Sequence, residues 1–142
     1  MNSRRIVLDT NVLIAALRSK RGASHKLMML LDSGQFELAL SVPLVLEYEA
    51  VAKRMIGMTG LCAEDIESII DYLCAHAFSA KIHYLWRPTL KDPKDDMILE
   101  LAVAADCAYI VTFNLADFVG VATFGVQAIT PHDFLKKIGA LQ

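Results

Sequence analysis

The chain has 142 residues, 55% of them hydrophobic, and a formal net charge of −2. That length suits one domain, residues 1–142, and the apolar content fills one core without staples. The slight negative charge excludes a bulk electrostatic pull toward nucleic acid, though not a local cationic patch.

Cys62, Cys74 and Cys107 show no C-x-x-C spacing and read as core or half-buried residues of a reducing compartment. Met1 to Arg5 lead straight into an apolar strand, without the pattern of a secretory leader. No apolar run approaches the roughly 18 residues of a membrane span. The expectation is a cytoplasmic protein with no membrane partner.

Ile6 to Leu8 reads as a buried strand that ends in Asp9-Thr10-Asn11. Val12 to Leu17 follows as a helix, for which Asn11 is a suitable cap. Asp9 therefore stands where a strand hands over to a helix, the end of an α/β sheet at which ligands bind. Arg18 to Ala23 is a basic loop containing Gly22, and Ser24 starts a second helix, His25 to Asp32. Arg18, Lys20, Arg21, His25 and Lys26 read first as a solvated face and second as a local patch for a polyanion. Gly34 suits the left-handed position after the helix, and Phe36 to Leu40 is a short second strand.

Ser41-Val42-Pro43 is a helix start, a cap followed by proline in the first turn. This helix runs to Ile56 and carries Glu47. After a turn around Gly57 and Gly60, Glu64 and Asp65 open a helix to about Ala77, with acids where its dipole favours them. Lys81, Ile82 and His83 alternate weakly, so Ala80 to Trp86 is a possible edge strand. Pro88 and Pro93 make the next stretch a loop, and Asp95 or Asp96 caps a helix from Met97 to Ala105. Tyr109 to Thr112 is a strand that stops in Phe113-Asn114-Leu115-Ala116-Asp117. Val126 to Ile129 is a final strand, and Pro131 leads a last helix to about Ile138. Alternating strands and helices predict a mainly parallel sheet covered on both faces.

Acids recur where polar groups gather. Asp9 and Asp117 follow strands, Asp95 and Asp96 begin a helix, and Glu47 sits among apolar neighbours. Each has a plain reading as a cap, a turn residue or a satisfied helix acid. A carboxylate near a core needs a partner. Lys53 or Tyr48 would serve Glu47, whereas a shared hard cation would serve several acids at once. Clustered carboxylates repel one another until a cation neutralises them.

Four segments carry a family likeness in order: Ile6 to Leu13 around Asp9, Ser41 to Tyr48 around Glu47, Asp92 to Ala102 around Asp95, and Tyr109 to Phe118 around Asp117. Together they resemble the PIN-domain ribonucleases, in particular the toxins of bacterial type II toxin–antitoxin systems, over nearly the whole chain. The resemblance implies a three-layer α/β/α sandwich and an endoribonuclease dependent on Mg²⁺ or Mn²⁺. It carries metal binding and catalysis onto Asp9, Glu47, Asp95 and Asp117, with Asn11, Thr112, Asn114 and Asp96 supporting them. Asp95 is favoured over Asp96 as the earlier cap and by the family's spacing to Ile98 and Ala102. Adjacent helical residues point apart by about 100°. Implied partners are RNA, a cognate antitoxin and a second copy of the chain.

Two other readings compete. A haloacid-dehalogenase-type phosphatase also places an Asp after its first strand, but its pattern has an acid two residues on, where Asn11 stands here. A non-catalytic PIN-like binding module would keep the fold and lose the chemistry.

Overall fold

A computed structural model describes residues 2–79, 90 and 92–141. The expected edge strand at 80–86 lies outside the described residues. Five strands form one sheet: β1 (Asn2–Leu8), β2 (Glu37–Leu40), β3 (Ala77–Ser79), β4 (Cys107–Val111) and β5 (Gln127–Ile129). Their order is β3-β2-β1-β4-β5, and every pairing is parallel. The chain builds outward from β1 to β3, then returns to the other side of β1 for β4 and β5. The sheet therefore reverses its winding between β1 and β4, where Leu8 pairs with Val111. Such a reversal opens a crevice at the carboxyl ends of the strands.

Ile6, Val7 and Leu8 are all buried, as are Leu38, Ala39 and Leu40. Successive strand residues point to opposite faces, so both faces of the sheet are covered. The covering helices are α1 (Thr10–Arg18), α2 (Ala23–Met29), α3 (Val42–Arg54), the single turn α4 (Ile56–Thr59), α5 (Ala63–Ala75), α6 (Pro93–Ala104) and α7 (Pro131–Lys137). The result is the three-layer α/β/α sandwich expected. In α6, Ile98, Leu101 and Ala102 are buried, and the helix packs on β1 and β4. No helix among the described residues is long and apolar enough to cross a membrane.

Several boundaries differ from expectation for local reasons. The fifth helix ends at Ala75, and Ala77–Ser79 pairs with β2 as an edge strand that weak patterning concealed. Ile56–Thr59 forms a separate turn of helix, closed by Gly60 at φ +74. Ser41 caps α3 as predicted, its hydroxyl accepting from Leu44 N–H. The same device starts α6 earlier than expected: Asp92 is the cap, accepting from Lys94 N–H, and Pro93 is the first helical residue. Asp95 and Asp96 are thus first-turn residues and neither is the cap. Asn11 is not a cap either, because α1 already begins at Thr10. Cys62 and Cys74 are exposed, against expectation, while Cys107 is buried. Burial raises the Cys107 thiol to about 12, which keeps it protonated and inert.

Candidate active site

The crevice at the sheet reversal opens into a cavity of roughly 660 Å³. Asp9, Glu47, Asp95 and Asp117 all line it, each delivered by a different element. Asp9 terminates β1, and its backbone N–H donates to Val111 O at 2.8 Å, extending the β1–β4 ladder by one residue. Glu47 projects from the middle of α3. Asp95 comes from the first turn of α6, and Asp117 from a 3₁₀ turn, Leu115–Phe118, beyond β4.

Asp9 is the anchored member. It is only 8% exposed, and Thr112 Oγ1 donates to its Oδ2 at 2.7 Å. Thr112 in turn accepts from Asn114 N–H at 3.0 Å and is held by its own N–H to Ile129 O. One hydroxyl thus ties Asp9 to the turn that presents Asp117. Beneath them, Tyr48 buries its ring completely and its hydroxyl donates to Leu8 O. Burial raises the Tyr48 phenol well above its ordinary value, with the Asp9 charge adding to the effect, so it stays a donor.

Electrostatics follow from the crowding. Burial raises the Asp9 carboxyl above its ordinary value. The bonds from Thr112 and Thr10 pull it down, and the charges of Asp117 and Asp92 push it up. Asp95 is lifted to about 6, first by burial and then by Asp9, Asp92, Asp117 and Asp96. These acids repel one another across a space that a cation would relieve.

Asp95 and Asp96 separate as helical geometry requires. Asp95 lines the cavity, whereas Asp96 does not; its Oδ1 accepts from Leu90 N–H at 3.0 Å. The expected partners of Glu47 are engaged elsewhere. Lys53 pairs with Glu49 and Glu67, and Tyr48 with Leu8. Lys94 stands beside it instead, Nζ to Oε2 at 3.6 Å. Asn11 and Asn114 line the cavity, and Asn11 Oδ1 is buried without a hydrogen-bond partner.

Sequence reasoning missed Asp92, Lys94 and Arg54, which also line this cavity. Asp92-Pro93 carries the cap-then-proline signal that located the start of α3, so Asp92 was within reach of the sequence. The cationic cluster divides. Arg18 lines the acidic cavity, while Lys20, Arg21, His25 and Lys26 line a second one with Met29, His132 and Leu141.

The donor set suits a hard divalent cation. Every candidate ligand is an oxygen, and the unpartnered Asn11 Oδ1 adds a neutral one. Among the described residues, no three His, Cys, Asp or Glu side chains are already gathered closely enough to hold a metal ion. Mg²⁺ does not require that: it keeps several waters and takes one or two carboxylates.

The family description of the PIN domain matches residues 5–116. The chain belongs to the PIN-domain family. Asp9, Glu47 and Asp95 lie inside the matched stretch, and Asp117 lies one residue beyond it. Membership in the PIN-domain family removes the haloacid-dehalogenase alternative. No curated protein matches the chain. Among solved structures, this PIN domain is similar to a chain in the crystal structure of VapBC2 from Rickettsia felis bound to a DNA fragment from their promoter. The TM-score is 0.60 at 14% identity, covering 89% of this chain and 98% of that one. At that identity the likeness is one of fold.

Proposed function

We propose that the chain is a cytoplasmic endoribonuclease dependent on Mg²⁺ or Mn²⁺, the toxin of a type II toxin–antitoxin pair. The observation that carries this reading is the convergence of Asp9, Glu47, Asp95 and Asp117 on one cavity in a PIN-domain chain. These four acids would hold the cation, with Asn11 and Asn114 beside them. When bound there, the cation supplies water activation and neutralises charge on the phosphodiester.

The protein's own groups do the positioning. Thr112 holds one carboxylate oxygen of Asp9, so that acid presents a fixed orientation to the cavity. Arg18 and Arg54, which line the same cavity, attract the phosphate backbone that the acids alone would repel. Asp96 acts at a distance, holding the backbone at Leu90.

The Rickettsia felis protein is a complex bound to promoter DNA, and its fold likeness supports an antitoxin partner for this chain. Val42 and Leu46, one turn apart on α3, are 73% and 59% exposed and give a second copy or an antitoxin apolar surface to cover.

The test is RNA cleavage by the purified chain. Cleavage should require Mg²⁺ or Mn²⁺ and disappear in Asp9→Asn. Cleavage that survives both chelation and that substitution would refute the reading. Metal binding without cleavage of any RNA would favour the non-catalytic module.

A further inference from the structure

An acidic cavity is a poor binder of an acidic polymer. Coulomb repulsion from Asp9, Glu47, Asp92, Asp95 and Asp117 must be offset by something that is not another carboxylate. Two features of the same cavity meet that need. Arg18 and Arg54 line it, and neither makes an ion pair with a described residue. Phe113 lines it too and is 48% exposed.

The exposure of Phe113 is imposed by its neighbours. Thr112 is fully buried and bonded to Asp9, and Asn114 N–H donates back to Thr112 Oγ1. The backbone on both sides is therefore held, and the ring stands beside the acids on a fixed turn. A phenyl group left half in water forgoes much of the stabilisation that full burial supplies. Ile14, Ala15 and Val51 add apolar surface to the same cavity.

We infer that Phe113 stacks an unpaired nucleobase next to the scissile phosphate, while Arg18 and Arg54 hold flanking phosphates. The inference deepens the nuclease reading and rests on it. Stacking on a side-chain ring needs a base whose face is free, which a single strand offers and a duplex does not. Phe113 is then the residue through which the site grips one base beside the cleaved bond.

The test uses the Asp9→Asn chain, which leaves bound RNA uncut, and a short mixed-sequence RNA strand carrying 2-aminopurine. Adding Phe113→Ala should weaken binding roughly 5- to 150-fold, the span expected for loss of one base–aromatic stack. It should also abolish the fluorescence quenching that stacking produces. Phe113→Trp should retain both signals. The same strand annealed to its complement, where neighbouring bases already quench the 2-aminopurine, should bind equally well with and without the Phe113→Ala substitution, with no further quenching on binding in either case. Equal affinity and equal quenching of the single strand in Phe113→Ala would overturn the inference and leave the ring to a protein partner. Failure of the nuclease reading looks different: no form binds RNA, and the unsubstituted chain cuts none in Mg²⁺. That result overturns the inference along with the reading.

Discussion

Asp95→Asn separates a metal-binding acid from a structural one. Burial and four neighbouring acids, Asp9 foremost, raise the Asp95 carboxyl from 3.8 to about 6. Between those values the folded chain keeps a proton that the unfolded chain has released. The group's contribution to stability therefore falls as pH rises through that window, and the full penalty persists above it. At about 1.4 kcal/mol per pH unit, the charged form is disfavoured by up to about 3 kcal/mol. Water reaches the partly exposed carboxylate and screens this to about 1 kcal/mol. The Asn variant, having no charge, should melt about 3 °C higher than the native chain at about pH 7.5 in EDTA. The difference should fall to a small fraction of that near pH 3.8, where Asp95 is protonated in the folded chain and half ionised in the unfolded one. Mg²⁺ should reverse the order. Free ion at about 100 times its Kd stabilises the native chain by about 2.7 kcal/mol, and the variant should gain much less. Thermal melts in EDTA and in Mg²⁺, at both pH values, check the argument. A variant no more stable than the native chain in EDTA at the higher pH would refute it.

Three other substitutions probe the supports of the site. Thr112→Val removes the donor to Asp9 and should lower metal affinity and RNA cleavage about 10- to 100-fold, with Thr112→Ser retaining both; a Mg²⁺ titration of cleavage rate measures this. Tyr48→Phe leaves Leu8 O without its buried donor and should cost about 1–3 kcal/mol in urea unfolding, whatever its effect on cleavage. Asp96→Ala should cost stability at the α6 start while leaving the Mg²⁺ midpoint within about twofold, since this carboxyl serves Leu90 N–H outside the cavity; calorimetric metal titration distinguishes it from Asp95→Asn.

The parallel sheet was legible because its central strands are short, apolar runs bounded by sharp polar signals. Asp9-Thr10-Asn11 and Thr112-Phe113-Asn114 mark the ends of β1 and β4, which pair directly. β3 was not legible. Ala77, Phe78 and Ser79 lie at an edge, so burial leaves little alternation to read, and the ladder with Leu38 to Leu40 is a long-range contact. Asn11 misled for a different reason. It is a good cap by type, but the ladder bond from Asp9 N–H to Val111 O already places Asp9 at the cap position, so the helix starts two residues sooner. Glu47 reads as an acid needing a partner, and that partner is Lys94, which the intervening chain puts far away in sequence.

The choice between Asp95 and Asp96 shows where local and tertiary information divide. The roughly 100° between consecutive helical residues dictates that the two acids diverge. It does not dictate which one faces the crevice, because that depends on how α6 lies against β1 and β4. The cap at Asp92 sets the phase of the helix. With Pro93 as the first residue, Ile98, Leu101 and Ala102 fall on the sheet side, and Asp95, one turn before Ile98, shares the cavity wall with it. Asp96 turns to the chain entering the helix, at Leu90. The apolar stripe that buries α6 therefore also aims its acid: the hydrophobic phase that stabilises the fold selects the carboxylate that faces Asp9.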